Sequence, residues 1–250
     1  MKTKQVLRSI TPPVLWESAR GLRRSGASQA PAHVFQNVTL SRTMTRLYES
    51  PFSELHERYA RLNRQIEGDE NVTRMRTYFV AQLARLALQT TTRGAFLTAG
   101  VSFAVAPKVA AELVDFQATG RRWIMIDPFD GRGDARYNTD IAIAKEGWNS
   151  SIPTSWVQLP LLQAVEDSAV TSAWGDLAFL HLNTTDFASE FTAFTYLSSM
   201  MLPGALAVVD VYGWESPSDQ QKMDRELSRL NLLSFELPTL QLVVMKPLVA

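Results

Sequence analysis

Residues 176–213, DLAFLHLNTTDFASEFTAFTYLSSMMLPGALAVVDVYG, decide the fold. An apolar run, 177–182, ends in the polar cluster Asn183, Thr184, Thr185 and Asp186. A helical segment follows to about Met201, then a Pro203-Gly204 turn, then a second apolar run, 206–209, that ends at Asp210. Two buried parallel strands joined by a crossover helix read this way. Both strands finish in polar side chains at the same edge. In open α/β sheets, ligands sit outside that edge. The sequence therefore places a site near residues 183–186 and 210–214.

Downstream, residues 216–231 form a charged amphipathic pattern that predicts a helix. Residues 232–237 and 240–245 predict two short strands across Pro238-Thr239, close enough for an antiparallel pair at a sheet edge. Upstream, residues 156–159 predict a third strand and 161–168 a short helix. The α/β pattern begins at Gly94: a strand over 95–99, a turn at Gly100, and a helix over 104–116 with Val105, Val109, Leu113 and Phe116 on one side. Gly120 turns the chain into an apolar strand, 123–126, that ends at Asp127. An acidic residue at the end of the second strand, 27 positions beyond Gly100, is what a site needs to hold a ribose diol. The same aspartate, followed by Pro128, also suits a plain surface turn. The tract 130–140 is polar and turn-rich, as a loop over a site would be, and residues 141–145 predict a short helix. Trp148 and Trp156 suit either a wall for a sugar or packing of the domain.

The first 92 residues differ from the rest and are expected to form an arm and helical cap, with residues 93–250 as the α/β domain. Residues 1–24 are basic and amphipathic (Lys2, Lys4, Arg8, Arg20, Arg23, Arg24). A helix of this kind lies on a membrane surface or a partner, or packs on its own subunit. Residues 25–31 are linker-like. Met75, Phe79, Leu83 and Leu86 recur at helical spacing and predict the buried stripe of a second cap helix. His33 and His56 stand without carboxylate company at metal-ligand spacing.

Composition narrows the function classes. The chain has 250 residues, with Lys+Arg and Asp+Glu both at 25, so overall charge points to no nucleic-acid partner. No cysteine is present, which excludes disulfides, thiolate metal sites and a cysteine nucleophile, and fits a cytoplasmic setting. No apolar run reaches the ~18 residues of a membrane-spanning helix.

Four segments carry a family resemblance: GAFLTAGVSFAVA (94–106), RRWIMIDPFDG (121–131), GDLAFLHLNTTDF (175–187) and LPGALAVVDVYGW (202–214). From about Gly94 onward the chain resembles class I S-adenosylmethionine-dependent methyltransferases, and among them the macrocin-type sugar O-methyltransferases. The resemblance implies a doubly wound, mostly parallel seven-stranded sheet with an antiparallel carboxy-terminal pair. It implies S-adenosylmethionine as cofactor, bound through Thr98, Gly100, Asp127 and Asp130, with the ribose on Asp127. It also implies a small-molecule or saccharide acceptor, and a homo-oligomer is compatible with it.

The chain departs from the family at two places. Thr98 stands where the family's first motif has an acidic residue, and Phe103, Ala104 and Val105 fill its later glycine positions. Metal-dependent members carry aspartates after the fourth and fifth strands. Here those places hold Asn183 and Thr185, then Asp210 and Val211. A hard divalent cation needs several anionic oxygens, so no metal is expected. Asp210, Asp186 and His181 are the candidates for removing the acceptor's proton. Asp186 also suits a helix cap, and His181 a packed core position. Two functions are compatible with this sequence: a metal-independent sugar O-methyltransferase, or a methyltransferase-like protein that binds or assembles without methyl transfer.

Overall fold

The computed structural model describes residues 49–62, 70–129, 140–184, 186–214 and 216–248. The basic segment 1–24, the linker, His33, Asp130 and Thr185 lie outside the described residues. Helices α1 (Phe52–Leu62) and α2 (Glu70–Thr90) precede strand β1 (Ala95–Ala99) and helix α3 (Val105–Leu113). Strand β2 (Trp123–Ile126), helix α4 (Ile141–Lys145), strand β3 (Thr154–Val157), and helices α5 (Leu161–Glu166) and α6 (Ser168–Thr171) follow. Next come β4 (Leu177–Leu182), α7 (Phe187–Met200), β5 (Met201–Val209), α8 (Pro217–Arg229), β6 (Leu233–Glu236) and β7 (Leu242–Met245).

The strands form one seven-stranded sheet in the order β3-β2-β1-β4-β5-β7-β6. The first five run parallel, and β7 pairs antiparallel with both β5 and β6. Every residue of β1, β2 and β4 is buried. That is why these segments read as unbroken apolar runs: helices cover both faces, leaving no wet side to force alternation.

Alternation still sorts the side chains into two layers. Phe96, Trp123, Met125, Phe179, Leu206 and Val208 pack in the layer shared with α1, α2 and α3. Leu97, Ile124, Leu180, Ala207 and Val209 pack in the opposite layer, with α5, α7 and α8. Continuing the first set by steps of two along each strand reaches Thr98, Asp127, His181 and Asp210. Period two thus puts all four on the face toward α2 and α3.

Several sequence expectations are corrected. Pro203 and Gly204 do not form a separate turn. Strand β5 starts at Met201 directly after α7, and the pair lies where the β4–β5 register jumps from Leu177↔Met201 to Phe179↔Leu206. The irregularity receives the end of α2: Thr90 Oγ1 donates to the Gly204 carbonyl at 2.7 Å, and a Cβ on Gly204 would stand 2.6 Å from the Thr90 carbonyl oxygen. The buried stripe of α2 includes the expected Met75 and Leu83, at 6% and 8% exposure, and departs from the expected one elsewhere. Val80, Ala81, Ala84 and Ala87 sit at 0–1% exposure, while Leu86 is 40% exposed and Phe79 half-buried. Small alanines let the helix lie close on the sheet. The helix expected over 104–116 stops at Leu113, and Asp115 (φ 48°) leads into a 3₁₀ turn, Phe116–Thr119. Trp148 and Trp156 pack the domain: Trp148 meets Trp123 edge-on at 5.6 Å and Trp156 at 6.1 Å, and its Nε1 donates to Thr154 Oγ1 at 2.8 Å. Among the described residues, no helix is long and apolar enough to cross a membrane.

Candidate active site

A cleft of about 360 Å³ opens at the carboxyl edge of β1, β2, β4 and β5, with α2 across it. Its lining includes Thr98, Gly100, Asp127, His181, Asp186 and Asp210, which are six of the seven residues singled out from sequence. The seventh, Asp130, is outside the described residues.

The half of the cleft over β1 is shaped by the loop 100–104. Gly100 has φ +74°, and a Cβ there would stand 2.1 Å from the Asn183 carbonyl oxygen, so the turn admits glycine alone. Asn183 in turn donates its amide to Ala99 O (2.8 Å) and its Nδ2 to Gly100 O (3.3 Å), which stitches the ends of β4 and β1 together. Within the loop, Ser102 (φ 48°) and Ala104 (φ 57°) are both left-handed although neither is a glycine. Such conformations cost a side-chain-bearing residue about 1–2 kcal/mol each. Neighbours hold them in place. The Ser102 amide donates to Asp127 Oδ2 at 3.2 Å, and buried Lys108 donates to the Phe103 carbonyl at 3.0 Å. Burial lowers the Lys108 ammonium to about 8, partly offset by Glu146.

Asp127 is 4% exposed and also accepts from the Phe129 amide through Oδ1 at 2.9 Å. Ser102 lines the same cleft, and its buried Oγ has no hydrogen-bond partner among the described residues. Thr98 is committed elsewhere: its Oγ1 accepts from Trp123 Nε1 at 3.0 Å.

The other half is built around Asp210 and His181, at 4% and 1% exposure. His181 Nε2 lies 3.4 Å from Asp210 Oδ1, and neither ring nitrogen has a hydrogen-bond partner. Gln241 Nε2 donates to the same Oδ1 at 2.6 Å. Arg76, on α2, places Nη1 3.9 Å from Asp210 Oδ2 and donates through Nη2 to the Asp210 carbonyl. Burial would raise the Asp210 carboxyl. The charges of Arg76 and His181 and the hydrogen bond from Gln241 outweigh it, holding the group at about 2. Asp210 is thus a fixed anion at neutral pH. Asp186 caps α7, accepting from the amides of Ala188 (3.1 Å) and Ser189 (3.3 Å), and remains exposed at the rim of the cleft.

Sequence reasoning missed Arg76, Ser102, Gln241 and Glu190. Glu190 is fully buried in the first turn of α7, and its Oε1 accepts from the Thr184 amide at 2.5 Å. Its place in sequence, an acid in a helix's first turn, looks like ordinary dipole compensation, and nothing local signals its burial. Among the described residues, no group of three or more His, Asp or Glu side chains is arranged to hold a metal ion.

No protein-family model matches the sequence, and no curated protein matches it either. Solved structures do. The chain is similar to CalS11, a calicheamicin methyltransferase, at 16% identity and a TM-score of 0.57, over 88% of this chain and 98% of that one. It is similar to the O-methyltransferase NovP at 14% identity and a TM-score of 0.54, over 70% of this chain and 80% of that one. The O-methyltransferase TomG from Streptomyces achromogenes, solved in complex with S-adenosylmethionine, aligns at 14% identity and a TM-score of 0.50, over 78% and 90% of the two chains. The chain has the class I methyltransferase fold.

Proposed function

We propose that this chain is an S-adenosylmethionine-dependent O-methyltransferase that acts, without a metal, on a sugar hydroxyl of a saccharide or glycosylated metabolite. The observation that carries the proposal is His181. Its ring is buried with Nε2 against the Asp210 anion, makes no hydrogen bond to any described residue, and lines the same cleft as the Asp127 carboxylate. The sugar assignment is supported by the likeness to CalS11, a TDP-rhamnose 3′-O-methyltransferase, and by a polar acceptor-side wall of Thr73, Thr77, Asn183, Thr184 and Ser189. Hydroxyl and amide groups of this kind suit a polyol.

The site's donor set fits the cofactor. The Asp127 carboxylate lines the cleft at the end of β2, where an acidic side chain is placed to accept from ribose hydroxyls. The orphaned Ser102 hydroxyl gives a polar partner on the same loop, and Gly100 provides the tight turn. When bound, S-adenosylmethionine supplies an electrophilic methyl group on a sulfonium. The remaining work belongs to the chain. The acceptor hydroxyl must be held in line with that methyl carbon and must lose its proton. His181 takes the proton on a ring nitrogen, while Asp210 orients the imidazole and stabilises the imidazolium that forms. Asp210 binds protons too weakly to serve as the acceptor near pH 7, and Gln241 and Arg76 keep it in place. Residues 93–250 form the α/β domain in this scheme, and the preceding helices cap it, with Arg76 reaching into the site.

Calorimetry with S-adenosylhomocysteine, followed by a transfer assay over a panel of sugar acceptors, tests the proposal. Binding in the micromolar range is expected; no binding at millimolar ligand would overturn it and leave a methyltransferase-like binding protein. Activity that collapses with EDTA and returns with magnesium would refute metal independence.

A further inference from the structure

Glu190 is the one buried carboxyl group beside the site that the proposed chemistry does not use. The residue is 0% exposed, and its Oε2 has no hydrogen-bond partner. Oε1 accepts from the Thr184 amide at 2.5 Å. That amide belongs to the short connection between β4 and α7, which supplies Asn183, Thr184 and Asp186 to the cleft, with Ser189 following in the first turn of α7. The connection is held at its start by Asn183 on Ala99 and at its end by the Asp186 cap. Between them, Glu190 is the residue that grips it.

The surroundings favour the uncharged acid. Burial is the largest influence and pushes the Glu190 carboxyl up to about 8; the Asp210 anion at the end of β5 adds to this, and the Thr184 amide and Arg76 of α2 oppose it. His181, the titratable residue of β4, belongs to the opposite layer, and Glu166, the charge on neighbouring α5, is exposed. An ionised carboxylate left here would have one oxygen unsatisfied in an apolar layer, which is costly. It gains hydration only by leaving its place beneath Thr184.

Resting on the methyltransferase assignment above, we propose that Glu190 is a positioning residue: as a neutral acid it latches Thr184 and so sets the acceptor-side wall of the cleft, and loss of its proton releases that wall. The acceptor wall is then a proton-dependent element, firmest in acidic solution and progressively loosened as the solution becomes mildly alkaline.

Amide hydrogen exchange of the segment 183–190, corrected for intrinsic rates and followed from pH 6 to 9.5, tests this in the wild type and in Glu190→Gln. Glutamine keeps an oxygen for the Thr184 amide and cannot ionise. In the wild type, protection should fall by about tenfold per pH unit from pH 6 up to about 8, where the latched carboxyl itself ionises, and level off beyond it; in Glu190→Gln it should stay level throughout. Equal pH dependence in the two proteins would overturn the proposal. If the variant does not fold, the wild type decides alone, since constant protection up to pH 9.5 is incompatible with the latch. In a transfer assay, the acceptor KM of the wild type should rise over the same range while that of Glu190→Gln does not. Exchange reads the latch whether or not S-adenosylhomocysteine binds, so failure of calorimetric binding would count against the enzymatic assignment alone.

Discussion

His181 Nε2 and Asp210 Oδ1 stand 3.4 Å apart at the floor of the cleft, on adjacent parallel strands, with both side chains almost fully buried. A histidine against a fixed anion is able to accept a proton and have the resulting charge stabilised, which is the step that methyl transfer to a hydroxyl requires.

Replacing His181 by Gln should therefore lower turnover by about 10²–10⁴-fold, the usual share of a positioned base. Affinity for S-adenosylhomocysteine should stay within about threefold, because His181 belongs to the acceptor half. Single-turnover rates and calorimetry separate the two effects. Turnover within tenfold of the wild type would remove His181 from the mechanism.

Asp210 makes a prediction about stability. Its carboxyl is depressed from 3.8 to about 2 in the folded chain. A depressed acid stabilises the fold above its unfolded value, and that contribution is lost as pH falls through the folded value. The difference corresponds to on the order of 2 kcal/mol. In urea titrations, Asp210→Asn should be less stable than the wild type at pH 6–7. The gap should narrow between pH ~4 and ~2. A gap independent of pH would show that Asn disturbs packing rather than removing a charge.

Ala104 is fully buried at φ 57°. Glycine adopts that conformation without penalty, so Ala104→Gly should be neutral or stabilising by up to about 1 kcal/mol despite its unfolded-state entropy. Ala104→Val should destabilise by more than ~2 kcal/mol, since a β-branched residue at positive φ is a strong outlier. Denaturation midpoints for the pair check this, and the opposite ranking would contradict the loop geometry.

Asp127→Ala removes the proposed ribose acceptor and frees the Ser102 and Phe129 amides together. Cofactor affinity should fall by about 1–3 kcal/mol from the lost charge-assisted bonds, with a lower melting temperature from the loosened loop. A lower melting temperature with unchanged affinity would assign Asp127 to the loop alone.

Much of the fold was legible because the central strands are buried on both sides. Runs such as Leu177–Leu182 admit few other readings, and the polar residues that end them mark the sheet edge. Pro203-Gly204 misled for a physical reason: the pair is turn chemistry in isolation, whereas here it bends a strand to receive Thr90. The α2 stripe was legible in half, with Met75 and Leu83 buried as expected; Phe79 and Leu86 misled because large apolar residues outweigh alanines in such a pattern, whereas a helix lying close on a sheet buries its smallest face. Within the site, residues that stand at strand ends could be found by position. Arg76 could not, since its partner Asp210 lies 134 residues away and their meeting depends on how α2 is set on β5. Glu190 was hidden for a related reason, because its burial comes from tertiary packing.

The two places where α2 touches β5 obey a common measure. Thr90 meets the strand at Gly204 and Arg76 meets it at Asp210. Fourteen residues of helix rise about 21 Å, and six of strand span about 20 Å. The helix works as a gauge laid backwards along the strand, with one end seated in the bulge and the other on the anion of the cleft. Adding or removing one residue between Arg76 and Thr90 would turn the guanidinium by about 100°, and a whole extra turn would overshoot by about 5 Å. Drift in the length of either element must be matched in the other, so the helix that precedes the α/β unit and the fifth strand inside it can change length only together.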